Sequence, residues 1–204
     1  MSEDTTQRRK RAPAMSVEDR REAIVAATTP LLLQHGANVT TSQIAQAAGI
    51  AEGTVFRAFK DKQELIATCV RSVLAVDAEL AVLAEARQVE QLPDRLSWAI
   101  SAVSGYLDRT WRLMGVLRES GYDPHRKGSE HKGPPVEMRL LSARIAELFT
   151  PDAHRMRVPA ELAARLLMGL VFTNRMQGEG FGETSADTDQ LVELYLHGVL
   201  RGDQ

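Results

Sequence analysis

TTSQIAQAAGIAEGTVFRAFKDKQEL, residues Thr40–Leu65, is the stretch from which the rest of the chain can be read. Thr40 is followed three residues later by Gln43, the spacing of a capping box that opens a helix. Ile44, Ala45 and Ala48 form the apolar side of that short helix. Gly49 ends it, because a left-handed turn is resisted by any β-carbon, and Ile50 plugs the angle that follows. A second short helix is predicted over Glu52–Phe59, so the two form a helix-turn-helix unit. The tip of the second helix carries small residues: Ala51, Glu52, Gly53 and Thr54. Such a tip can approach base edges closely, and the free N–H groups of a helix N-terminus suit phosphate. In units of this kind the second helix lies in the major groove. Val55, Phe56 and Phe59 are expected to face back into the small domain. Arg57, Lys60 and Lys62 stand around the exit, where phosphates would run.

Upstream, residues 1–15 lack periodicity and are rich in charge, which predicts a disordered arm. Its Arg8-Arg9-Lys10-Arg11 run would suit phosphates or a minor groove; a solvated tail is the plain alternative. Ser16 is then a candidate N-cap, with Glu18, Asp19 and Glu22 placing negative charge in the first turn. Ile24, Ala27, Leu31 and Gln34 recur on one face up to Gly36, a natural helix stop. Pro30 lacks a backbone donor and predicts a kink or a reset of the hydrogen bonds. Downstream, Asp61 caps a long helix read from Lys62 to about Ala86. Its stripe runs Leu65, Ile66, Cys69, Val70, Val73, Leu74, Asp77, Leu80, Leu83. Pro93-Asp94 opens another helix to about Glu119, with Leu96, Ile100, Val103, Leu107, Trp111, Met114 and Leu117 inward. A breaker-rich loop, GYDPHRKGSEHKGPP (121–135), precedes helices at about 136–149, 159–177 and 187–201. No period-2 strand pattern stands out. The expected fold is all-α: a three-helix helix-turn-helix head (16–62) and a C-terminal helical bundle (63–204).

The 204 residues carry 25 Lys+Arg against 27 Asp+Glu, and 44% are apolar. Split at Lys62, nine basic and seven acidic residues precede sixteen and twenty. A slightly basic head on an acidic body is a weak pointer to a polyanionic partner. One cysteine excludes a disulfide framework and a cysteine-based zinc site. Nothing approaches the ~18 apolar residues of a membrane span, and the N-terminus has no apolar signal core. These features predict a soluble, cytoplasmic protein without a cofactor. The five histidines show no metal-ligand spacing, and Cys69 falls on an apolar helical face where core is its default. No glycine-rich phosphate loop follows a strand, so no enzyme is indicated.

Arg20–Val70 resembles the N-terminal DNA-binding domain of the tetracycline-repressor (TetR) family. The resemblance rests on an apolar helix ending in glycine (RREAIVAATTPLLLQHG), then Thr-Thr-x-x-Ile-Ala-x-x-Ala-Gly, then Gly-Thr-x-aromatic-x-x-Phe-x-x-Lys-x-x-Leu. It covers about a quarter of the chain; the remainder matches only in helicity and length. It implies that Thr40 and Thr41 cap the first short helix and touch the DNA backbone, that Thr54 and Lys62 contact phosphates, and that Glu52, Gly53 and Thr54 lie nearest the bases. The whole expected DNA-contacting set is Thr40, Thr41, Gln43, Ala51, Glu52, Gly53, Thr54, Phe56, Arg57, Lys60 and Lys62. Three positions depart from the family pattern. Ala51 replaces the usual Ser/Thr cap, a loss of about 1 kcal/mol. Phe56 lacks the hydroxyl of the commoner Tyr, and Ala58 stands where His is frequent; Arg57 or Lys60 are placed to compensate.

The same resemblance implies that the later helices form a ligand cavity and that the last two pair with their copies. ELAARLLMGLVFTNRM (161–176) and LVELYLHGVL (191–200) are apolar on more than one face, so they need cover. Leu166, Gly169, Leu170, Thr173, Leu191, Leu194, Tyr195 and Gly198 are the expected homodimer contacts. Trp98, Tyr106, Trp111, Met114, Phe172 and Met176 are the expected lining for a small, largely apolar effector, with Asn174 and Arg175 as polar anchors or interface residues. Plain core is the alternative for each aromatic or Met. The expected function is a homodimeric repressor released from a palindromic double-stranded DNA operator when an effector tilts helix 62–86. The alternative is a helical small-molecule-binding or catalytic protein whose head no longer binds DNA.

Overall fold

The computed structural model describes residues 15–121, 135–176 and 185–199. The basic arm, the interior of the expected 121–135 loop with His125 and His131, and residues 177–184 lie outside the described residues. Nine α-helices occur among those described. In chain order they are α1 (Val17–His35), α2 (Thr41–Ala47), α3 (Glu52–Ala58), α4 (Lys62–Leu74), α5 (Asp77–Ala86), α6 (Leu92–Glu119), α7 (Val136–Glu147), α8 (Ala160–Arg175) and α9 (Thr188–Val199). Short 3-10 turns occupy Gly36–Asn38 and Thr150–Arg155.

Local chemistry explains most of the boundaries. Ser16 and Asp19 cap each other's backbone at 3.0 and 3.3 Å, opening α1. The helix passes through Pro30 as one element and ends at Gly36, whose φ of 57° excludes a side chain on steric grounds. A Cβ there would also lie 2.7 Å from the Val116 carbonyl of α6. The buried row of α1 is Ile24, Val25, Thr28 and Leu32, not Ile24, Ala27, Leu31 and Gln34. Apolar residues ring much of this helix, so spacing alone does not choose the inward face; Gln34 is exposed.

The long helix expected over 62–86 is two helices. Ala75 is extended (φ −59°, ψ 144°), and α5 starts afresh at Asp77. A side chain of α6 bridges the break. The Arg109 guanidinium donates to the Val73 carbonyl at 2.8 Å and the Ala75 carbonyl at 3.2 Å, and pairs with Glu79 of α5 at 2.8 Å. These bonds satisfy carbonyls that a helix end leaves orphaned. They also give the buried Glu79 carboxylate a counter-charge.

Two cores result. The head core joins Ile24, Leu32, Ile44, Val55, Phe59 and Leu65 to Val73 of α4, and takes Leu113 and Leu117 from α6. The body core joins α5–α9 through residues such as Leu83, Leu96, Val103, Leu141, Phe149, Leu167 and Tyr195. Each fully buried Leu or Phe contributes about 1.5–3 kcal/mol. The head's packing therefore continues well past the boundary expected at residue 62, and α6 belongs to both cores. A second joint lies at the end of α6, where the Ser120 hydroxyl accepts from the Ala37 N–H at 2.9 Å and donates to the Leu117 carbonyl at 2.8 Å. At the other end of α6 the buried Arg95 donates to the Val89 and Glu90 carbonyls at 2.9 and 2.6 Å and pairs with Asp152.

Candidate nucleic-acid interface

α2 and α3 meet across a turn in which Gly49 has φ 65°. Thr40 and Gln43 form the expected capping box. Gln43 N–H donates to Thr40 Oγ1 at 3.2 Å, and Gln43 Oε1 accepts from the Thr40 N–H at 2.8 Å. Ala51 caps α3 with no side-chain bond. The underside of α3 is Val55, Ala58 and the following Phe59, all buried. Its outer side presents Ala51, Glu52, Gly53 and Arg57 to solvent, with Thr54 half-buried. Phe56 corrects one expectation: it is 52% exposed and does not face into the domain. Residues i and i+4 share a helical face. Phe56 therefore lies with Glu52 on the outer side, while Val55 and Phe59 hold the inner one. Lys60 is exposed and Lys62 half-buried just beyond.

The end of α3 is fixed by groups that periodicity does not reveal. Arg21 of α1 donates to the Ala58 carbonyl and to Glu64 Oε1, the latter at 2.8 Å, and its guanidinium lies 4.1 Å from the Phe59 ring centroid. Glu64 Oε2 accepts from the Lys60 N–H at 2.7 Å, and Asp61 caps α4 by accepting from the Glu64 N–H at 2.8 Å. The Arg21 bond, aided by the Lys60 N–H, holds the Glu64 carboxyl below its ordinary pKa. One arginine thus ties the last turn of the exposed helix to α1 and α4.

Residues 24–69 match the family described as bacterial regulatory proteins, tetR family. The matched residues run from α1 to α4 and so take in the helix-turn-helix of the head. A curated relative, the HTH-type transcriptional regulator BetI of Paraburkholderia phymatum, is 27% identical over 179 residues, covering 83% of this chain and 88% of its own. The fold is shared with a TetR-family regulator structure from Mesorhizobium loti (TM-score 0.61, 19% identity, 91% of this chain and 98% of that one). It is also shared with SmeT, the repressor of the Stenotrophomonas maltophilia efflux pump SmeDEF (TM-score 0.53, 18% identity, 89% and 90%).

Beyond the head, a cleft of about 420 Å³ opens on the body between α6 and α8, lined by Asp108, Trp111, Phe172, Arg175 and Met176. Trp111 and Phe172 meet edge to face at 5.6 Å. Arg175 pairs with Asp108, which raises the Arg175 pKa. Three of the six expected lining residues therefore converge. The others do not. Trp98 lies on the surface, Tyr106 is buried in the body core, and Met114 packs against the head core. Sequence reasoning missed Asp108, although it stands three residues before Trp111 and so shares its face. Asn174 does not enter the cleft lining; it brackets Ala186 with two hydrogen bonds, at 3.0 and 2.8 Å.

The expected interface residues divide as well. Leu166, Gly169, Thr173, Leu194 and Gly198 are exposed, and Leu170 is half-buried. Leu191 and Tyr195 are buried in their own subunit, where the Tyr195 hydroxyl donates to the Ala163 carbonyl at 2.5 Å. Both had been expected at the interface. They are the inward members of an amphipathic α9 whose apolar residues exceed one face. Cys69 is fully buried, and burial pushes its thiol up to about 11, which keeps it protonated and unreactive. No described helix is long and apolar enough to cross a membrane.

Proposed function

We propose that this chain is a regulator of the TetR type that acts as a homodimeric repressor, released from a palindromic operator by a small, largely apolar effector. The observation that carries this reading is the course of α6. Asp108 and Trp111 line the body cleft, Arg109 grips the end of α4, and Leu113 and Leu117 enter the head core. A ligand that shifts α6 would therefore move the head. Two heads must dock in successive major grooves, ~34 Å apart along one duplex. A change of a few ångströms in their spacing opposes operator binding, and the opposition is reciprocal. The exposed α3 face with Thr54, Arg57, Lys60 and Lys62 supplies the DNA contacts.

Fluorescence anisotropy with duplexes carrying inverted repeats from DNA flanking the protein's own gene tests this. Sequence-selective binding that weakens with salt is expected. Thr54→Ala and Lys62→Ala should each reduce affinity on every duplex. Equal affinity for all duplexes would overturn the proposal.

A further inference from the structure

We propose that Glu52 is a specificity-determining residue, reading the N4 amino group of a cytosine in each operator half-site, with Thr41 as its positioning residue. The inference rests on the DNA-binding reading above. Glu52 is the only acidic residue between Thr40 and Lys60. It stands fully exposed on the first turn of α3, on a surface offered to a polyanion. A carboxylate there is repelled by phosphates and gains only where it meets a donor. It forms no ion pair among the described residues. Instead Thr41 Oγ1, on the first turn of α2, donates to Glu52 Oε1. That bond spans the angle between the two helices and leaves Oε2 to accept a hydrogen bond from a base. Gly53 beside it has open space where a side chain would stand, so the approach of a base edge is unobstructed.

The choice of base follows from the groove. Major-groove donors are the cytosine N4 and adenine N6 amino groups. Adenine sets its N7 acceptor beside N6, where a carboxylate oxygen would meet repulsion. Cytosine offers an amino group with no adjacent acceptor on the same base. A carboxylate with one oxygen already engaged therefore matches cytosine.

The test is selection from a randomised duplex library with the full-length wild type, Glu52→Gln, Glu52→Ala and Thr41→Val, with thermal melts to confirm that each variant folds. The wild type should select an inverted repeat with one cytosine per half-site whose replacement costs about tenfold in affinity. Glu52→Gln should turn that position to adenine, since an amide can pair with both N6 and N7. Glu52→Ala should abolish the preference there, and Thr41→Val should weaken it at that position alone. If every variant selects the same bases as the wild type, the Glu52–Thr41 pair is only a brace between helices and the inference falls while the DNA-binding reading stands. If the wild type selects no sequence, the repressor reading fails and this inference with it.

Discussion

Arg21 and Glu64 stand 43 positions apart in sequence, yet together they close the exposed helix of the head. Because Glu64 is held charged by Arg21 and the Lys60 N–H, its pKa is lower in the folded chain than its ordinary 4.5. A depressed carboxylate stabilises the fold above its unfolded value, and that stabilisation is lost as pH falls through the folded value. Wild-type stability should therefore drop more steeply on acidification than that of Glu64→Gln, which keeps an acceptor but cannot titrate. Denaturant midpoints collected from neutral pH down through the carboxylate range will check this; parallel curves would contradict it. At this scale legibility depends on sequence distance. The Ser16–Asp19 and Thr40–Gln43 boxes were readable because both partners lie within one turn. Arg21 shows no such signature, since its acceptors, the Ala58 carbonyl and Glu64, come from two other helices. Phe56 was misplaced for a related reason: an aromatic in a short helix looks like core until its neighbours Val55 and Phe59 take the inner side.

Between elements, the break separating α4 from α5 is the main departure from the expected fold. The 62–86 stripe contains neither Gly nor Pro, so a continuous helix was the natural reading. The break is stabilised from 30–36 residues away, by Arg109 bonding two carbonyls and Glu79 at once. Glu79 Oε2 is buried with no further partner, so its carboxylate depends on this one cation. Arg109→Ala should cost about 2–4 kcal/mol, near the lower range for breaking a buried pair because Arg109 is partly exposed. Arg109→Lys should recover less than half, because a single ammonium lacks the planar fork that reaches three acceptors. Adding Glu79→Gln to Arg109→Ala should restore part of the loss by removing the stranded charge. Chemical denaturation of the single and double variants measures all three. A near-neutral Arg109→Ala would show that the break arises from the backbone of 75–76 without help from α6.

For the whole molecule, the proposed repressor role requires that one small head obtain useful affinity for DNA. The head offers few cations on the α3 side: Arg57, Lys60 and Lys62. One copy of such a surface neutralises few phosphates and so binds weakly. Two copies held at fixed spacing convert the second docking into an intramolecular event, which raises overall affinity by about 10²–10⁴. The body carries a surface suited to that pairing. Leu166 of α8 is 48% exposed and Leu194 of α9 is 62% exposed, while inner residues of the same helices, such as Leu167 and Leu191, are packed. In the proposed homodimer these exposed apolar groups of two neighbouring helices supply the pairing surface. A charge placed there would be buried without a partner in the pair but solvated in the single subunit. Leu194→Glu should therefore leave the subunit folded, with unchanged helicity, yet shift it to a monomer by analytical ultracentrifugation. Affinity for a two-half-site duplex should fall by about 10²–10⁴, while affinity for a single half-site should stay within about twofold. A variant that remains dimeric, or a wild type that binds one half-site as tightly as two, would place the pairing surface elsewhere on the body.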